Sequence, residues 1–247
     1  MKTEFTDKIA VITGGARGIG RCIAEDFIKA GARVAVVDKD EITVPCEICF
    51  RGDIADETTL LGFVNEIVQK FENIDYLINN ACLSKGGLLS DCGYDDFLYV
   101  QKVGVVAPYM LTKLLLPYFK SKASIVNISS TRAYMSQSNT ESYTAAKGGI
   151  GALTHALAVS LAGCVRVNSI SPGWIDTSGT SDCSETDKAQ HPAGRVGKPE
   201  DISKMVMFLC GEGSGFITGE NITIDGGMSK LMIYHNDHGW RYDVNEK

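Results

Sequence analysis

Seven short segments of the chain are apolar almost throughout, and stretches with helical spacing separate most of them. The apolar segments are Ile9–Ile12, Arg33–Val37, Cys46–Phe50, Asp75–Ile78, Ser124–Ile128, Val165–Ile170 and Asn221–Ile224. Helical spacing covers Arg21–Ala30, residues 56–71, roughly 95–119, Tyr143–Leu161 and Asp201–Cys210. A half-exposed strand alternates apolar and polar side chains, whereas a strand covered on both faces does not. The pattern therefore predicts an α/β fold, a parallel sheet with helices on both sides. No repeat, low-complexity tract or linker interrupts the 247 residues, so one domain spanning 1–247 is expected. One connection is too short for the pattern. About eight residues, including Pro45, separate Asp38 from Cys46, and a parallel crossover with its helix needs about a dozen or more. The crossover helix there should be missing or reduced to a turn.

Composition narrows the class. With 44% hydrophobic and 22% charged residues the chain reads as an ordinary soluble domain. Its net charge of −6 opposes nucleic-acid binding, which needs a basic face, and opposes anionic membranes. There is no apolar run of about 18 residues, and the N-terminus, Met1-Lys2-Thr3-Glu4-Phe5, does not read as a signal peptide. A cytoplasmic location is expected. The eight cysteines, at 22, 46, 49, 82, 92, 164, 183 and 210, are scattered, and free thiols are the default in a reducing compartment. Cys46 and Cys49 have CxxC spacing, but no second pair completes a zinc set, so two thiols beside a buried strand are expected.

Three motifs carry chemistry. Thr13-Gly14-Gly15-Ala16-Arg17-Gly18-Ile19-Gly20 lies between the first strand and the first helix. A glycine-rich backbone there approaches a pyrophosphate closely, and the helix N-terminus supplies free N–H groups and partial positive charge. Asp38 ends the second strand, 18 residues beyond Gly20. A carboxylate there accepts the ribose hydroxyls of an adenosine and repels a 2′-phosphate, which points to NAD rather than NADP. Tyr143 and Lys147 stand one helical turn apart on one face. A free phenol is a poor base at neutral pH, and a neighbouring ammonium favours the phenolate. Ser130, 13 residues upstream and just past the fifth strand, can reach the same substrate oxygen.

The glycine loop, Asn79-Asn80-Ala81, Ser130, Tyr143-x-x-x-Lys147 and Pro172-Gly173 with Thr177 together resemble the short-chain dehydrogenase/reductase family. The resemblance continues through Gly194–Asp201 and Ile217-Thr218-Gly219 to Asp225-Gly226-Gly227, which is nearly the whole chain. It implies a Rossmann-type doubly wound sheet of about seven strands, a homotetramer or homodimer, and hydride transfer between a nicotinamide cofactor and an alcohol or carbonyl carbon. Tyr143 would be the general acid/base, with Ser130 and Lys147 beside it. The resemblance assigns Gly14, Arg17, Gly18, Ile19 and Gly20 to the phosphate loop and Asp38 to the adenosine ribose. Asp53 and Ile54 would lie beside the adenine, Asn80 in the cofactor cleft, and Ile175 and Thr177 at the carboxamide.

The chain departs from the family pattern in a few places. Gly104 stands where many members carry an asparagine whose backbone carbonyl holds a water in a proton path. Glycine keeps that carbonyl and permits local distortion, so Gly104→Asn is expected to change the rate by less than about tenfold. The missing side chain leaves a rival class open, a cofactor-binding regulator without turnover. Cys82 replaces a usual glycine and reads as a small buried thiol. Ser178–Gly194, the expected substrate lid, is short and polar, with no large apolar anchor. This favours a small polar substrate such as a sugar or polyol. His155 reads as a packing or interface residue. The aromatic residues in 228–247 suggest that part of this tail packs near the cleft.

Overall fold

The computed structural model describes residues 3–179, 183–234, 236 and 237. Seven strands form one all-parallel sheet: β1 (Ile9–Thr13), β2 (Arg33–Asp38), β3 (Ile48–Arg51), β4 (Ile74–Asn79), β5 (Phe119–Ile128), β6 (Val165–Pro172) and β7 (Asn221–Ile224). Their spatial order is β3-β2-β1-β4-β5-β6-β7. The chain runs outward from β1 to β3, then returns to β4 on the other side of β1. The order thus reverses between β1 and β4, and a crevice opens at the carboxyl ends of those two strands.

Register aligns these ends. Thr13 pairs with Val37 on one side and with Asn79 on the other, and Asn79 pairs with Asn127. The loops that leave β1, β4, β5 and β6 therefore emerge at one edge, and they carry Gly14, Asn80, Ser130 and Gly173.

Both faces of the sheet are covered, which explains the uninterrupted apolar strands. Every residue of β1 and of β4 is buried. On one face, Phe63 and Ile67 of α2 (Glu57–Lys70) and Leu111 and Leu115 of α4 (Ala107–Leu115) pack on Val11, Leu77 and Ile125. On the other, Ile23 and Phe27 of α1 (Gly18–Lys29) and Ile202, Val206 and Leu209 of α7 (Pro199–Cys210) pack on Ile12, Val36 and Ile78. Each such side chain contributes about 1.5–3 kcal/mol. The remaining helices are α3 (Tyr94–Gln101), α5 (Glu141–Ser160) and α6 (Glu185–Ala189).

The short β2–β3 connection contains no helix. Cys46 and Cys49 are joined by a disulfide across its end, with Cα atoms 6.0 Å apart. That corrects the expectation of two free thiols. Without a crossover helix, residues 39–47 turn directly into β3, and the sharp return brings the two cysteines together. The single long helix expected over 95–119 is also divided. α3 gives way to a π-helical turn at Lys102–Val106, α4 follows, and β5 begins at Phe119. Among the described residues no helix is long and apolar enough to cross a membrane.

Candidate active site

The glycine loop leaves β1 with Gly14 at φ +71°, a conformation natural to glycine. A Cβ there would sit 2.9 Å from the Ala81 Cα, and one at Gly20 would sit 2.0 Å from the Gly14 carbonyl oxygen. These glycines let the loop fold onto the start of α1 and lie flat against the β4 exit. Asn80 ties the two together. Its Nδ2 donates to the carbonyls of Thr13 (3.1 Å) and Gly14 (2.9 Å), and Thr13 Oγ1 accepts from the backbone N–H groups of Asn80 and Ala81.

Asp38 projects from the end of β2 into the same crevice. Its carboxylate accepts from Ala16 N (2.9 Å) and Asp40 N (3.0 Å). A carboxylate has about four acceptor positions, so it retains capacity for two hydroxyls. Arg17 pairs with Asp40 at 3.5 Å. The crevice is lined by Gly14, Arg17, Gly18, Ile19, Asp38, Asp53, Ile54, Asn80 and Thr177, all residues expected from the sequence. Gly20 lies beneath, against Gly14 and Asn80. The narrow loop, its helix N-terminus and the acceptor at Asp38 fit a dinucleotide. Tyr99 also lines this crevice. Burial and its hydrogen bond to Asp53 push its phenol up to about 12, so it stays protonated and donates to Asp53 Oδ2 at 2.6 Å.

An adjoining cleft contains Ser130 and Tyr143. Ser130 follows β5 in extended backbone, and its Oγ accepts from Arg132 N at 3.2 Å. Tyr143 stands in the first turn of α5. Lys147, one turn on, is only 4% exposed. Its Nζ donates to the Ile128 carbonyl at 2.6 Å and lies 5.4 Å from the Tyr143 ring centroid. Ser129 Oγ donates to the Lys147 carbonyl, clamping α5 to the end of β5. The structure thus brings Ser130, Tyr143 and Lys147 to the carboxyl end of β5, beside the dinucleotide crevice. Ile175 lines this second cleft, and Thr177 lines the first.

Gly104 sits within the π turn at Lys102–Val106. The helix is therefore distorted there without an asparagine. The position is also crowded: a Cβ on Gly104 would lie 2.8 Å from the Ala146 Cβ and 3.3 Å from the Cys82 Sγ. Ala146 lies on α5 between Tyr143 and Lys147 and has no flexible end to move aside. This crowding argues against the expectation that Gly104→Asn would be mild. Gln101, one turn earlier, donates Nε2 to the Ser142 carbonyl at 2.9 Å, a second fastening of α5 just before Tyr143.

A family profile described as Enoyl-(Acyl carrier protein) reductase matches residues 14–229. The chain belongs to the short-chain dehydrogenase/reductase family. It is an oxidoreductase of that type. An uncharacterised oxidoreductase of Thermotoga maritima is 39% identical, over 92% of this chain and 98% of its own length. The L-fucose dehydrogenase of Mus musculus is 35% identical, over 91% and 89%. Among solved structures, an apo SCOR enzyme from Clostridium thermocellum is 46% identical, with a TM-score of 0.88 over 97% of this chain and 99% of that one. The ligand-free aldohexose dehydrogenase of Thermoplasma acidophilum is 26% identical, with a TM-score of 0.87 over 94% and 98%.

In this short-chain dehydrogenase/reductase the second cleft holds Arg132, Met135, Gln137 and Trp174, which the sequence did not single out, together with Gln190 of the expected lid and Met228 of the tail. The apolar anchor missing from Ser178–Gly194 is supplied from outside it, by Trp174 directly after Pro172-Gly173. Its ring stacks obliquely near the buried His191, with centroids 6.2 Å apart. Position relative to that motif was the available signal. His155 is exposed on α5. Of the tail, Met228 reaches the cleft and Leu231–Tyr234 are exposed; Trp240 and Tyr242 lie outside the described residues.

Proposed function

We propose that this enzyme interconverts an alcohol and its carbonyl on a small polar substrate with NAD(H), and that Tyr143 is the general acid/base. The observation that carries the reading is the buried Lys147 ammonium beside the ring of Tyr143, which lines the same cleft as Ser130. When bound, a nicotinamide accepts or supplies the hydride at its C4. In the oxidation direction Tyr143 Oη takes the hydroxyl proton, and in reduction it returns it. Ser130 Oγ hydrogen-bonds the same oxygen and holds it in place. Lys147, fixed by the Ile128 carbonyl, stabilises negative charge on the phenolic oxygen. Gly14, Arg17, Gly18, Ile19 and Gly20 hold the pyrophosphate, Asp53 and Ile54 the adenine side, and Asn80, Ile175 and Thr177 the nicotinamide side.

NAD is preferred over NADP because two carboxylates, Asp38 and Asp40, stand at the ribose end of the crevice. Arg17, the nearby cation, is engaged with Asp40, although Lys39 also lines the site. A sugar or polyol substrate is supported by the hydroxyl and amide lining of Ser84, Ser136, Gln137, Thr140 and Gln190, and by the L-fucose and aldohexose activities named for relatives. The regulator reading rested on Gly104, and the π turn that persists there removes its support. A homotetramer or homodimer, paired through α4, α5 and α7, is supported by apolar side chains left exposed there: Val106 and Tyr109 beside and on α4, Val159 on α5, and Phe208 and Phe216 on and after α7. The test is oxidation of NADH against a panel of aldoses, ketoses, uronic and keto-sugar acids, 3-oxoacyl thioesters and steroid ketones. Turnover of a sugar or a sugar acid is expected. NADH binding with no turnover across the panel contradicts the proposal.

A further inference from the structure

Among the described residues, Arg132 is the only charged side chain lining the Ser130–Tyr143 cleft. It follows Ser130 by two residues in the 3-10 turn Thr131–Ala133, and its own N–H is held by Ser130 Oγ. The backbone that places the Ser130 hydroxyl therefore also places the Arg132 side chain. Its guanidinium donates to the Gln137 amide oxygen, and among the described residues no carboxylate pairs with it. In a chain with 30 acidic and 24 basic residues, a cation left unpaired in a cleft is an open binding group. A guanidinium has five N–H donors in a planar fork. Gln137 occupies one and fixes the plane, leaving donors for a planar, bidentate acceptor. A neutral polyol offers no such acceptor, and a phosphate dianion would be served by only one cation here.

We propose that Arg132 anchors a carboxylate, so that the substrate is a hydroxy or polyhydroxy acid, or its oxo form, rather than a neutral sugar. This rests on the dehydrogenase reading above and narrows its substrate class. The carboxylate lies on Arg132, the hydroxyls meet Gln137, Thr140, Ser136 and Gln190, and the reacting oxygen lies between Ser130 and Tyr143.

The test compares matched acids and neutral compounds: gluconate with glucitol, glucuronate with glucose, and 3-hydroxybutyrate with its methyl ester. Reduction of NAD is followed by absorbance, and binding to the NADH-saturated enzyme by calorimetry. For at least one pair the acid is expected to exceed its neutral partner at least tenfold in kcat/KM or in affinity. Arg132→Gln should reduce that ratio at least about tenfold, and Arg132→Lys should restore part of it. Equal or better use of the neutral compounds in all pairs overturns the proposal, as does a ratio that Arg132→Gln leaves unchanged. Tighter binding of glucitol 6-phosphate than of gluconate overturns it in favour of a phosphate. Turnover of neutral sugars with no charge preference removes the anchor and leaves the dehydrogenase standing. Arg132-dependent binding of an acid without NAD reduction keeps the anchor and removes the dehydrogenase.

Discussion

Gly104→Ala is the smallest change that should disturb the catalytic helix from outside the cleft. The added Cβ would meet the Ala146 Cβ at 2.8 Å, whereas carbons pack at about 3.5–4.0 Å. The π turn and α5 must therefore separate by about 1 Å. Overpacking of this kind costs about 1–3 kcal/mol. Replacing a helical glycine by alanine returns about 0.5–1 kcal/mol, so a modest net loss of about 1 kcal/mol is expected, or about 2–4 °C in Tm. The effect on rate should be larger than the effect on stability. Ala146 moves with Tyr143 and Lys147, and a misplacement of about 1 Å at reacting groups can cost about 10²-fold. Gly104→Ala should thus lower kcat by about 10–10²-fold, with NADH affinity nearly unchanged because the glycine loop and Asp38 are untouched. Adding Ala146→Gly removes the clash and should restore most of the rate. Steady-state kinetics with thermal melts on both single variants and the double variant complete the cycle. A Gly104→Ala enzyme with wild-type kcat refutes the steric reasoning, as does a double variant no better than the single one.

Asp38→Ser should shift the kcat/KM preference toward NADP at least about tenfold, measured with both cofactors; a wild-type enzyme that already favours NADPH tenfold would contradict the reading. Light scattering at micromolar concentration should give a dimer or tetramer, and a monomer would contradict the pairing proposed for the α4, α5 and α7 faces. Burial pushes the Cys210 thiol up to about 12, and burial with Asp26 pushes Cys22 up to about 11. Both stay neutral at pH 8, since thiolate forms only as pH approaches the raised value. Iodoacetamide at pH 8 should therefore label exposed Cys164 and spare Cys210 in the folded enzyme, as read by peptide mass spectrometry; early labelling of Cys210 would refute the burial.

Much of this was legible in the sequence because the relevant signals are local. Seven apolar segments named seven strands, and the residue count between Asp38 and Cys46 sufficed to remove a helix. Gly14, Asn80 and Ser130 follow strand ends and Asp38 closes one, so position relative to the strands brought them to one edge of the sheet. What was not legible depends on approach between distant segments. The disulfide arises from the sharp return into β3, and the intolerance at Gly104 arises from Ala146, 42 positions away in sequence. The division of the expected 95–119 helix was hidden because a π turn breaks no apolar spacing strongly enough to read. Arg132 and Trp174 looked like ordinary loop residues until the ends of β5 and β6 placed them in one cleft.

The central claim is that Tyr143 moves the substrate proton. Single-turnover oxidation of enzyme-bound NADH by a reducible carbonyl substrate, compared between wild type and Tyr143→Phe, tests it most directly. NADH affinity is read from fluorescence in the same samples. A loss of at least about 10²-fold in the hydride-transfer rate is expected, with NADH affinity within about threefold, because a phenyl ring keeps the shape and lacks only the proton donor. A Tyr143→Phe enzyme that oxidises NADH at the wild-type rate would contradict the claim.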